Sequence, residues 1–207
     1  MSDILDMIQA KRGYLLPFHK MLAVHDPELL RRYDHFYEKM TLDQNVLSPF
    51  EKEFVWIAIL AAAREGVGSL HLERAKIAGL TQAQMEQAVS LAALAESFPA
   101  FCFGIEKWGK WLDEAAIAGN YLRLVATAGE GIAPALVELA MLVTHGIRLD
   151  PRAFGIHLRR FFDCGGTPAQ LSEALTYLFN PKGANMVLDV VAMWEKVGND
   201  LGLPKPY

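Results

Sequence analysis

The stretch His71-Leu72-Glu73-Arg74-Ala75-Lys76-Ile77-Ala78-Gly79-Leu80-Thr81 decides the architecture, because the chain carries its pattern twice. The second copy begins His157-Leu158-Arg159-Arg160 and reaches Gly165 and Thr167 with no gap. Residues 71–88 and 157–174 share eight identities in eighteen aligned positions, and the register persists to Trp108/Trp194 and Lys110/Lys196. A spacing of about 86 residues divides the chain into a first helical unit over 1–111, with 1–25 as an N-terminal extension, and a second over 112–207.

Working outward, the helix punctuation is regular. Asp26-Pro27-Glu28 opens a helix through about Leu42, with a capping Asp before a proline at the first helical position. Ser48-Pro49-Phe50-Glu51 adds a capping box, and the apolar run that follows to Ala63 predicts a buried helix. A helix from about Gly68 stops at Gly79, and Thr81-x-x-Gln84 caps the next. The segment from Phe98 to about Ala118 completes the first half. In the second half Asp150-Pro151 opens a helix that Gly165-Gly166 closes. Thr167-Pro168-Ala169-Gln170 opens another, Asn180-Pro181 breaks it, and a last helix runs from about Lys182 to Leu201. No alternating apolar pattern reads as a strand, so the fold class is all-α.

With 207 residues and 52% hydrophobic content, the chain has ample material for a core and for a subunit interface, so a homo-oligomer is expected. The stripe Phe101, Ile105, Trp108, Leu112 has helical spacing suited to either use. A net charge of −4 with interspersed signs calls for neither nucleic acid nor an anionic membrane surface. The start lacks a secretion signal, and the longest uncharged apolar run, Phe54 to Ala63, is too short to span a bilayer. A cytoplasmic location is expected. Cys102 and Cys164 make no disulfide framework and read as small core residues.

His71 shares its helix face with Val67, Ala75 and Ala78, and Arg74 lies one turn on; His157 shares its face with Ala153, Phe161 and Cys164, with Arg160 one turn on. A neutral imidazole beside a permanent cation suits proton transfer to or from an anionic substrate. The competing reading is a core histidine bonded to backbone. Each histidine follows a buried-looking helix that carries an acid, Glu53 before His71 and Glu138 before His157. Each carboxylate would orient its imidazole or act as its proton partner, or simply answer a helix dipole. No spacing supports a metal site, and no phosphate loop is present.

The stretches Leu47-Ser48-Pro49-Phe50-Glu51-Lys52-Glu53 and His71 to Thr81 resemble the carboxymuconolactone decarboxylase family, which includes the alkyl hydroperoxidase D-like proteins. Glu138-Leu139-Ala140-Met141-Leu142-Val143 with His157 carries the resemblance again. It covers about 45–110 and, more loosely, 130–197. It implies two alkyl hydroperoxidase D-like helical units in tandem. The peroxidase branch has cysteines seven and four residues before the histidine, where this chain has Arg64 and Val67, then Asp150 and Ala153. Without a thiol pair the dithiol chemistry of that branch fails. The resemblance then implies a cofactor-free lyase acting on a small carboxylated lactone or ring-cleavage acid, with Arg64, Arg74 and Arg160 clamping carboxylates and His71, Glu53, His157 and Glu138 moving protons. A member that only binds a metabolite or mediates assembly is the alternative from another class.

Overall fold

Prolines at first helical positions and short polar caps set the framework of the computed structural model, which describes residues 2–207. Among these residues all regular structure is helical. The chain divides into two compact units, residues 1–44 and 45–207. Both copies of the repeated pattern fall inside the second.

The first unit contains α1 (Ser2–Arg12), α2 (Pro17–His25) and α3 (Pro27–Tyr37), which continues as a π-helical turn over Glu38–Leu42. The Asp26 side chain accepts from Leu29 N–H, as its cap signature predicts. Ile4, Ile8, Ala23 and Leu30 form its apolar core. Beside them the Arg12 guanidinium is buried on Asp34 at 2.7 Å and lies 3.8 Å over the Tyr37 ring. Lys11 Nζ reaches the other Asp34 oxygen at 2.8 Å, so this buried acid is doubly neutralised.

The second unit contains α4 (Pro49–Ala63), a 3₁₀ turn (Gly66–Ser69), α5 (Leu70–Ile77), α6 (Gln82–Trp108), α7 (Glu114–Ala128), α8 (Pro134–Arg148), α9 (Pro151–Asp163), α10 (Pro168–Thr176), α11 (Phe179–Lys182) and α12 (Ala184–Leu201). Helix α4 is the centre, packed against α5, α6 and α8, while α8 packs on α9. Capping boxes form as their sequences predict at Ser48/Glu51, Thr81/Gln84 and Thr167/Gln170. Gly79 and Gly165 take φ of +92° and +84°, a conformation that suits glycine, and so end α5 and α9 shortly before the next cap.

The segment Phe98 to Ala118 is not one helix. Helix α6 runs through Pro99 and ends before Gly109, and α7 starts afresh behind the Asp113 cap. Proline removes one N–H from the ladder, but burial of Ala88, Leu91, Ala92, Ala95 and Phe98 along α6 carries the helix past it. The stripe on this segment is not core at its C-terminal end: Trp108 and Leu112 are exposed. Helix α6 is by length and composition apolar enough to cross a membrane, although a soluble core helix passes the same test. Cys164 is exposed and Cys102 only half-buried, so neither is a sealed core residue.

Candidate active site

Two acids stand two residues apart at the start of α4 and do different work. Glu51 closes the capping box, its Oε2 accepting from Ser48 N–H at 2.8 Å and Ser48 O–H at 2.7 Å. Glu53, whose place near the helix start suits an acid that answers the helix dipole, instead faces inward and is buried. The chain leaves α4 at Arg64 in a left-handed conformation (φ 57°), and Glu65 caps the 3₁₀ turn by accepting from Val67 N–H. That reversal lays α5 back on α4 and brings His71 Nδ1 to 2.7 Å from Glu53 Oε2.

The imidazole lies flat on Trp56, ring centroids 4.4 Å apart, and the other side of the site continues as a stack of Trp56 on Tyr177 at 4.9 Å. Tyr177 O–H donates to Glu173 Oε1 at 2.5 Å; Glu173 Oε2 in turn accepts from the backbone N–H groups of Val46 and Leu47, pinning the approach to α4. Burial holds His71 below its ordinary pKa; the bonded Glu53 charge opposes this, and the Arg74 and Lys52 charges reinforce it. A carboxylate can only accept, so a neutral His71 presents Nδ1–H to Glu53 and leaves Nε2 unprotonated. Among the described residues no hydrogen bond occupies Nε2, and 7% of the side chain stays exposed. The indole Nε1–H of Trp56 is buried close by without a partner.

The second pair has the same first contact but different surroundings. His157 Nδ1 lies 2.6 Å from Glu138 Oε2, and Arg160 Nε donates to Glu138 Oε1 at 2.7 Å. On the far side Tyr121 Oη bridges His157 Nε2 at 2.8 Å and His145 Nε2 at 2.9 Å. Only one proton arrangement keeps both imidazoles neutral beside an ionised Glu138. His157 donates through Nδ1 to Glu138, Tyr121 donates to His157, and His145 donates through Nε2 to Tyr121. His145 Nδ1 then carries a bare lone pair, and it is buried without a partner. Burial, aided by the His157 and Arg148 groups, holds His145 down at about 2. The His157 side chain is wholly sealed, in contrast to His71.

The arginines disperse. Arg74 is half-buried on α5, where its charge acts on His71. Arg160 has one edge committed to Glu138. Arg64 is 82% exposed and pairs at 3.7 Å with Glu96, which Arg148 also holds at 2.6 Å. Tyr121, His145, Trp56 and Tyr177 carry no sequence signature of this site, since each reaches it through tertiary packing. Among the described residues no group of three or more His, Cys, Asp and Glu side chains could hold a metal ion.

The geometry has a pH consequence. As pH falls below about 6.5, an unfolded chain protonates His71 and His145, while the folded chain resists until lower pH. The unfolded state then binds more protons, so stability is complete above pH 6.5 and declines on acidification, by up to about 1.4 kcal/mol per pH unit per imidazole. Urea melts taken across this window should show the decline; a stability that is flat or rises towards low pH would contradict neutral burial.

Residues 27–104 match the carboxymuconolactone decarboxylase family. No curated protein and no solved structure matches the chain. The carboxymuconolactone decarboxylase match begins with α3 and ends within α6, so it takes in Glu53, Arg64, His71 and Arg74. Glu138, His157 and Arg160 lie beyond it.

Proposed function

We propose that the chain is a cofactor-free acid–base enzyme of the carboxymuconolactone decarboxylase kind, a carbon–carbon lyase acting on a small carboxylated lactone or ring-cleavage acid. The observation that carries this reading is the buried 2.7 Å contact of Glu53 with His71 inside the family-matched segment. Glu53 fixes the tautomer, and Nε2 of His71 is the atom that handles the proton. Decarboxylation breaks one carbon–carbon bond, releases carbon dioxide and leaves the electron pair in a dienolate. The dienolate needs one proton on a carbon at either end of its conjugated system, which Nε2 collects from solvent and delivers. Arg74, half-buried one turn from His71, is the cation placed to attract the substrate carboxylate and steady the dienolate.

The second pair takes a structural part in this reading, because His157 is sealed and Tyr121 occupies its Nε2. The tandem arrangement of units 1–111 and 112–207 is supported by the shared capping boxes, the paired positive-φ glycines and the two Glu–His contacts. Exposed Phe103, Trp108 and Trp111 favour a homo-oligomer.

Hydroperoxidase chemistry has no thiol pair to run on, since Arg64 and Val67 stand where the cysteines would be. Alkylating Cys102 and Cys164 with iodoacetamide should leave lyase turnover within about twofold of the untreated protein, because the groups that bond and stack on His71 are Glu53 and Trp56 and not a thiol. Abolition of activity by alkylation would point to a thiol mechanism instead.

A further inference from the structure

A groove of about 590 Å³ runs along the second unit between α9 and α12, with Leu122 of α7 also in its lining. Its size lies in the usual range for small-molecule sites, roughly 300–1,000 Å³. Gly155 makes the floor possible: a Cβ there would stand 3.2 Å from Val197 Cγ1 and 3.3 Å from Leu201 Cδ1, so the two helices meet closely beneath the groove. Leu122, Ile156 and Val197 give the groove an apolar lining.

Its polar edge is unbalanced. Arg152, Arg159, Arg160 and Lys196 line it against a single lining acid, Asp200, and of these cations Arg152 is already held by Glu106 and Glu114. Lys196 has no partner among the described residues. Arg160 bonds Glu138 through Nε, and both of its Nη groups make no further hydrogen bond among the described residues. A guanidinium held in this way by its Nε edge presents a fixed, charged donor to one more anion. His157 does not line the groove and is wholly buried behind Glu138, so no imidazole reaches an occupant.

We propose that the α9/α12 groove binds a small organic carboxylate with an apolar body, its carboxylate on Arg160 and Lys196, as a ligand that is not turned over. The apolar lining selects the body and the excess cations select the charge, while the absence of an imidazole from the lining separates this site from the one at His71. The occupied groove adds a carboxylate to the Arg160 guanidinium that already holds Glu138, so binding also stiffens the buried Glu138–His157–Tyr121–His145 chain.

The test is a fluorine NMR titration of the intact protein with para-(trifluoromethyl)benzoate, with the uncharged para-(trifluoromethyl)benzamide as comparator. The wild type should bind the benzoate saturably. Lys196→Glu, an exposed position whose change leaves the core untouched, should weaken binding by about tenfold or more, and the benzamide should show a similar loss. His71→Ala should bind as the wild type does, which keeps this result separate from any result on turnover. Inorganic phosphate at equal concentration should not compete. The proposal is overturned by absence of saturable binding, by Lys196→Glu binding within twofold of wild type, by equal binding of the benzamide, by displacement with phosphate, or by loss of binding in His71→Ala.

Discussion

His71→Ala should abolish turnover, by at least about a thousandfold, while the melting temperature moves little. The large effect follows from what the side chain does: it supplies an unprotonated nitrogen that no described residue occupies, on a ring that keeps an exposed edge, and a positioned acid–base group is commonly worth 10²–10⁴ in rate. The small structural effect needs an argument, since the ring is buried on Trp56. Removing it leaves the Glu53 carboxylate without its Nδ1–H partner, which costs stability. Against that, the 7% exposure of the side chain marks an edge through which water can enter and rehydrate Glu53. Chemistry therefore falls much further than stability. A variant that unfolds at room temperature would instead assign His71 to the core.

Tyr121→Phe should do the opposite, destabilising the second unit by about 2–4 kcal/mol with turnover preserved in the remaining folded protein. The substitution removes one oxygen and keeps the ring that packs edge-on to Phe98 at 4.9 Å. That oxygen serves two sealed imidazoles at once, at 2.8 Å and 2.9 Å. Without it His157 Nε2 and His145 Nε2 both lose their partner in a place water does not reach, and each orphaned group costs about 1–3 kcal/mol. In a unit of this size the melting temperature should fall by roughly 5–12 °C. A melting temperature within about 1 °C of wild type would mean that the chain of hydrogen bonds carries little energy; a collapse of kcat at unchanged stability would move the catalytic role to the second pair.

The two variants also divide what could be read in the sequence from what could not. Helix ends were legible because their determinants are local: Ser48 with Glu51, Asp150 before Pro151 and Thr167 with Gln170 all cap as their spacing requires. The Glu53–His71 and Glu138–His157 partnerships were suggested by residue type and separation, but their contact depends on the left-handed turns at Arg64 and Leu149 that fold each second helix back on the first. Neither residue is a glycine, so no sequence rule announces those turns. Pro99 shows the same limit of local signals, since the N–H it removes from the ladder is outweighed by burial of the helix on either side. The arginines were the least legible. A long side chain at the right helical position can end on a substrate, on Glu138 or on Glu96, and only packing decides among these. Arg12 on Asp34 lies in the N-terminal stretch outside the resemblance, where no motif pointed to a buried ion pair.

The central claim, a carboxymuconolactone decarboxylase-like reaction run by His71 without a cofactor, is tested most directly by turnover of carboxylated muconolactone in heavy water with no metal or cofactor added. Carbon dioxide release and deuterium content of the product would be read together. Release of carbon dioxide, with one solvent deuterium on a carbon of the former dienolate, is the predicted result. An unchanged substrate would contradict the account.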